Sequence, residues 1–470
     1  KLILENIYYI YDLEGLEEFR DRVNGNNGYT ADTFSGKTVY LMNDIDMRSL
    51  DLFSWSQIGS IRSNKPFSGS FIGNYHVIKN LNIEYDVGPT SYINEGVFFN
   101  YVLNGSIEQL IFKNNQIIRI DGQNSSNGMS LIGTLENSSL KRCAFVDNVL
   151  KDNSYEGSVL KLINSNMLEC INTSYYGATE NINKTGDCSG LVINIDGTSS
   201  VENCYNGGVI GENAKNNYYT RTSGIVAYVT KGGSITNCYN YGVVYCRTNS
   251  QEYGGIAGYV YNQKQPITNC YSLDTSCDQL YNNNTTNRVD TVTLKSYAST
   301  LGSNYYTDDT LGINNGYPIL KWQVEHPEPF MNLIEEIYTP EDLVSLKAQV
   351  ESGINYKGNT VHLMNDVDMT GITWTEGIGS SSTPFEGIIE GNGYSINNLT
   401  VSNDGVFGYI DEDGGMQNII FNNLTANGVV EELAKGNLTN ICIKGNTKLI
   451  NTATSGNIKN CYSTGGKIFN

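Results

Sequence analysis

Four aspartates, three histidines, three tyrosine pairs and a row of cysteines are the residues of this 470-residue chain whose types and spacing could do chemistry. Asp44 and Asp46 alternate along an expected strand, as do Asp366 and Asp368. Each pair could project to one face as a general acid and base or as calcium ligands. A second reading gives these carboxylates to the framework of a first coil, accepting hydrogen bonds from a turn. Recurrence of the pair with the same flanks favours the framework, with calcium as the alternative. His76, His326 and His362 stand apart from one another, and the chain has neither a His-Glu-x-x-His zinc signature nor a Gly-x-Ser-x-Gly elbow. Each reads as structural, and no catalytic residue is expected. Tyr175-Tyr176, Tyr218-Tyr219 and Tyr305-Tyr306 fall in expected loops or strand ends. Exposed tyrosines there could stack on sugar rings or anchor a protein ligand, or they could pack along the outer face of a sheet.

The cysteines divide into two groups. Cys143, Cys170, Cys204, Cys238 and Cys270 share an apolar repeat position that is Leu110 or Ile419 elsewhere, so they read as buried thiols stacked on successive coils. Cys188, Cys246 and Cys277 fall outside it, and a Cys246 to Cys277 bridge between neighbouring loops is the one disulfide the spacing suggests. No Cys-x-x-Cys pair offers a zinc site.

The elements that must position these residues follow from repetition. Residues 37–47, KTVYLMNDIDM, recur as NTVHLMNDVDM at 359–369, and the copies stay in step through Trp55 and Trp374, the IGS segments at 58 and 378, and GVFFNYVLNGSIEQLIFKN against GVFGYIDEDGGMQNIIFNN. Two homologous modules result. Within them a strand motif returns as SIEQLIF, SLKRCAF, SVENCYN, SITNCYN, PITNCYS and NIKNCYS. From Leu110 through Cys143, Cys170, Cys204, Cys238 and Cys270 its steps are 33, 27, 34, 34 and 32 residues. In SITNCYN the apolar residues Ile235 and Cys238 are three apart, which fits neither a flat strand nor a helix. A one-residue bend with Asn237 in the left-handed region turns both inward, since Asn tolerates that conformation better than branched residues. Asn203, Asn269 and Asn460 hold the same place, and stacking would align their amides in a ladder. A second strand family (EGVFFNY, MSLIGTL, SGLVINI, SGIVAYV, YGGIAGYV, DGVFGYI) precedes each motif, and segments such as GGVI and YGVV follow it. About three strands per coil are expected, in an all-β, right-handed parallel β-helix.

Composition bounds the partners. Gly (49) and Tyr (33) are abundant while Pro (8) and His (3) are scarce, which favours tight turns and short strands. A net charge of −19 argues against nucleic acid and anionic membrane surfaces, and no apolar run is long enough for membrane insertion by a helix. The first residues, KLILENIYYIYDLEG, lack the features of a signal peptide and read as the start of a mature or excised fragment of a larger polypeptide with further domains. Low basic content and Asn-Ser-Thr richness fit an extracellular or cell-surface location.

The Gly-[Leu/Ile/Val] segments followed by I-x-N-C-Y resemble the GLUG repeats of bacterial surface proteins. The D-I-D-M, W-x-x-IGS and PF-x-G segments resemble the β-helical region found beside zinc peptidases that cleave immunoglobulin A and in large adhesins; the peptidase domain itself is absent. The same comparison divides the chain into a first module at 1–325, a linker at 326–332 and a second module at 333–470, which reads as truncated. Each module opens with an expected amphipathic helix, at Asp12 to Val23 and from Thr339-Pro340-Glu341-Asp342, placed to cover the open end of its coil stack. The first module should close at residues 314–322. The leading expectation for function is a non-catalytic adhesin or rigid spacer that binds a host glycan or protein through its outer loops, with no cofactor unless calcium. A polysaccharide hydrolase or lyase is the rival from another class, and a phage receptor-binding spike is the third. The enzyme reading needs several acids with a Lys, Arg or metal converging on adjacent coils, outside positions shared by the two modules.

Overall fold

A computed structural model of the protein describes all residues except 1, 2, 5, 51–54, 86–94, 120–128, 153, 154, 179–185, 213–218, 246–251, 262–265, 283, 332, 413, 469 and 470. The chain winds as a parallel β-helix. One coil runs through the strands Glu95–Leu103, Ser106–Glu108, Ile111–Lys113 and Gln116–Arg119. Each pairs in parallel with its counterpart in the next coil: Met129–Glu136, Ser139–Lys141, Ala144–Val146 and Val149–Asp152. The four sheets built this way are numbered 1 to 4 in that order. The expected three strands per coil counted the I-x-N-C-Y segment once, and its bend divides it between sheets 2 and 3.

That bend is where the repeat chemistry acts. Gln109, Arg142, Glu169, Asn203, Asn237 and Asn269 all adopt the left-handed conformation, with φ of 52 to 55°. Where Asn follows Asn the amides ladder as expected: Asn237 Nδ2 donates to Asn203 Oδ1 at 3.1 Å and Asn269 Nδ2 to Asn237 Oδ1 at 2.8 Å. The next residue after each bend faces inward, so Cys143, Cys170, Cys204, Cys238 and Cys270 are buried in the core. The Cys246 half of the suggested bridge lies outside the described residues. A second polar ladder, which the sequence did not suggest, runs inside the stack. Asn172, Asn206 and Asn240 are fully buried, and each of the first two donates to the next at 2.7 Å. Such amides are tolerated in a core because neighbouring coils satisfy them.

Sheet 1 needs glycine. At Gly190 and Gly224 an added Cβ would meet the carbonyl oxygens of Gly224 and Gly255 at 2.2 and 2.3 Å, so the glycines of SGLV and SGIV approach the next coil too closely for any side chain.

The chain divides into two compact units, residues 1–330 and 331–470. In unit 1, helix α1 (Leu13–Asn24) is capped by the Asp12 carboxylate, which accepts from Gly15 N, and it buries Leu16, Phe19 and Val23 among Phe34, Phe67 and Phe71. Near the other end of the unit lie three short helices: α2 (Thr291–Lys295), α3 (Ala298–Leu301) and α4 (Lys321–Glu325). In unit 2, helix α5 (Pro340–Glu351) starts with a capping box between Thr339 and Asp342 and buries Leu343, Leu346 and Val350.

The segment from α2 to α4 does not plug an end. It runs along the outside of sheet 3 as a strap. The outward residues Ile111, Ala144, Ile171, Tyr205 and Tyr239 form one buried cluster with Leu294, Leu301, Tyr305, Leu320 and Trp322 of the strap. Tyr239 donates to Pro318 O, Gln323 Nε2 lies 2.9 Å from the Tyr205 hydroxyl, and Trp322 Nε1 donates to Glu169 O at 3.0 Å. The expected closing segment therefore seals a flank of the stack.

Candidate functional site

The carboxylate pairs are engaged in the framework, identically in both units. Asp44 Oδ1 accepts from Val77 N at 3.0 Å, and Asp366 Oδ1 from Ser395 N at 2.8 Å. Each so ties its coil to the next. Asp46 accepts from Arg48 N and Asn80 Nδ2, and Asp368 from Thr370 N and Asn398 Nδ2. The Thr370 hydroxyl and the Asn398 amide hold the Asp368 carboxyl below the usual carboxylate range. Among the described residues no group of three or more His, Cys, Asp or Glu side chains is arranged to hold a metal ion. Asp44, Asp46, Asp366 and Asp368, the four candidate calcium ligands, are each held in framework hydrogen bonds. Of the histidines, His76 Nδ1 lies 3.1 Å from Asp44 Oδ1 and the His326 ring stacks on Tyr75.

Tyr175-Tyr176 and Tyr305-Tyr306 lie on strands, where adjacent residues point to opposite faces. Tyr176 is fully buried, with its hydroxyl 2.8 Å from Ser158 Oγ, and burial pushes its phenol well above the ordinary value. Tyr305, a residue of the strap, is buried against the stack and donates to Asn237 O at 2.9 Å. Neither can meet a ligand. Tyr175 is half-buried with the Lys151 ammonium over its ring, and Tyr306 is exposed. Tyr218 lies outside the described residues, as does the side chain of Tyr219.

A cluster the sequence reading passed over lies on the outer face of sheet 1. Strands Gly186–Ser189 and Tyr219–Ser223 pair so that Asp187 sits opposite Arg221, and Glu252 follows on the next coil. Arg221 Nη1 is 3.0 Å from Asp187 Oδ2, and its Nε is 3.1 Å from Glu252 Oε2. The guanidinium lies 4.4 Å from the centre of the Tyr228 ring and 5.8 Å from that of Tyr259. These two rings are neighbours on successive coils, tilted with centroids 5.4 Å apart. The column they belong to continues through Asn194 to Lys161, which approaches Asp196 at 3.5 Å.

Electrostatics here follow from burial. Asp187 is only 5% exposed, and that burial raises its carboxyl although Arg221 pulls it down. The Tyr155 phenol is raised by burial first and by Asp187 second. Asn194 Oδ1 is a buried acceptor without a hydrogen-bond partner. Such an arrangement offers hydrogen-bonding groups beside aromatic rings, with its guanidinium paired to two carboxylates and its Nε left without a hydrogen bond. Asp187, Arg221 and Glu252 each stand three residues before a repeat glycine (Gly190, Gly224, Gly255), so aligning the repeats on glycine would have found the row.

No family model matches the chain, and no curated protein matches it. Among solved structures the chain is similar to the 1.30 Å crystal structure of a candidate immunoglobulin A1 protease from Bacteroides ovatus, at 20% identity and a TM-score of 0.39, over 67% of this chain and 92% of that one.

Proposed function

We propose that this chain is a non-catalytic module of an extracellular surface protein, a stiff β-helical spacer that binds a glycan or a host protein along its side. The observation that carries the reading is the row of buried Asp187 with half-buried Arg221 and Glu252 beside the half-buried Tyr228 and Tyr259, on the outer face of sheet 1 and outside the positions shared by the two units. Stacked coils resist bending, and repeat proteins commonly bind along such a lateral surface. The GLUG resemblance of the repeats and the low basic content support a bacterial surface setting. Screening the full chain against glycans, mucins and immunoglobulins tests the reading. Specific binding lost on Arg221→Ala is the expected result, and silence on every class would reduce the function to a spacer.

One observation favours the enzyme reading. Asp187 combines a raised carboxyl with an arginine and a second acid on adjacent coils, the kind of convergence that polysaccharide hydrolysis or elimination requires. Release of new reducing ends or unsaturated products from a polysaccharide, abolished by Asp187→Asn, would overturn the non-catalytic proposal. Against turnover stands the pairing of Arg221, whose charge is shared between Asp187 and Glu252.

A further inference from the structure

We infer that the outer face of sheet 1 takes a linear, uncharged, hydroxyl-rich glycan lying parallel to the axis of the coil stack. The inference rests on the lateral-binding reading and names its ligand class.

Three features of the face point the same way. The first is its hydrogen-bond polarity. Asn194 Oδ1 is a buried acceptor and Arg221 Nε a buried donor, each without a hydrogen-bond partner, beside the carboxylates of Asp187 and Glu252. A ligand that both donates and accepts suits them, and sugar hydroxyls do both. The second is charge. Two carboxylates share one guanidinium, so this row carries a net negative charge, and a uronate, sialylated or sulfated chain would meet repulsion with no free arginine to answer it. The third is spacing. Tyr228 and Tyr259 stand on successive coils in direct register, as do Asn194 and Lys161. Coils repeat at the strand spacing of about 4.8 Å, and an extended pyranose chain advances by a similar length per residue. Successive sugars could thus meet successive coils, with the tyrosine rings against their apolar faces.

The test titrates the full chain with two sets of hexasaccharides: neutral ones (cello-, manno- and galacto-oligomers) and acidic ones (hexagalacturonate and a heparin hexasaccharide). A neutral oligomer should bind, Tyr259→Ala should weaken it roughly tenfold, the loss expected for one aromatic platform, and Tyr259→Phe, which keeps the ring, should restore binding. Binding should grow with oligomer length until the column of coils is spanned. Acidic oligomers bound in preference, with loss on Tyr259→Ala, would overturn the neutral class and leave the lateral site standing. Glycan binding that ignores both Tyr259→Ala and Asn194→Leu would sink this site while leaving a glycan-binding function elsewhere on the chain. Absence of all glycan binding, with a protein ligand captured through Arg221, would overturn the inference and keep the proposed function.

Discussion

The flank formed by sheet 3 in unit 1 and its counterpart in unit 2 carry the same repeat and differ in what packs on it. In unit 1 the outward row climbs from Ile111 through Ala144 and Ile171 to Tyr205 and Tyr239, and the strap seals it. In unit 2 the matching row reads Ser395, Ile420, Cys442, Tyr462; Ser395 and Cys442 are buried, and Tyr462 on the last strand is 57% exposed. Tyr239 and Tyr462 each follow an Asn-Cys pair, so the motif places them alike. What differs is the cover. In unit 1 the tyrosines of I-x-N-C-Y at 205 and 239 thus pack against the strap, while the residue before each faces the core.

The hardest way to break this comparison is to remove the strap's anchor. Trp322 is 1% exposed, stacks on Tyr75 and donates to the Glu169 carbonyl. Trp322→Ala should cost about 3 to 5 kcal/mol. Denaturant unfolding should show the loss in unit 1, and hydrogen exchange should show residues 298–325 opening while residues 331–470 keep their protection. If both units soften together, the strap is not a local seal.

Smaller effects sharpen the inward half of the comparison. Cys238→Ser buries a hydroxyl where a thiol sat and should destabilise by about 1 to 3 kcal/mol, with Cys238→Val milder. In native protein a thiol reagent should label Cys461, which is only partly buried, well before Cys204, Cys238 or Cys270. Rapid labelling of the three core thiols would refute the register. The outward half is tested by paired substitutions. Tyr239→Phe loses a hydroxyl that donates to Pro318 O and accepts from Asn314 Nδ2, and should cost about 1 to 2 kcal/mol. Tyr462→Phe, on the bare flank, should change stability by less than about 0.5 kcal/mol.

The smallest expected effect is on pH. Backbone N–H groups of Tyr338 and Thr339 and the Thr339 hydroxyl lower the Asp342 carboxyl more than burial raises it. A lowered carboxyl stabilises the fold above its unfolded value near 4 and loses that contribution as pH falls through the lower folded value. Asp342→Asn should flatten the acid limb of unit 2's stability curve. An unchanged limb would show that the capping box contributes nothing through charge.

Much of this was legible because it is local or periodic. The bend at Asn203, Asn237 and Asn269 could be read from a three-residue apolar spacing and the tolerance of Asn for positive φ. The caps Asp12 and Thr339 could be read from residue type and the apolar pattern behind them. The tyrosine pairs misled because the sequence reading treated their segments as loops, and the strand period then turned Tyr176 and Tyr305 inward. The Asp187–Arg221–Glu252 row escaped because each residue alone is an ordinary charge beside a glycine.

The sequence by itself determined the coil, its corners, the stacked thiols and the two capped helices, since each depends on residues a few positions apart or repeated at a steady period. Only the tertiary structure decided that residues 290–325 seal a flank, that one tyrosine of a pair is core and the other surface, and that an arginine meets two acids from neighbouring coils. Those outcomes depend on register between strands about 30 residues apart across loops of unequal length, where stacking selects partners that no local pattern names.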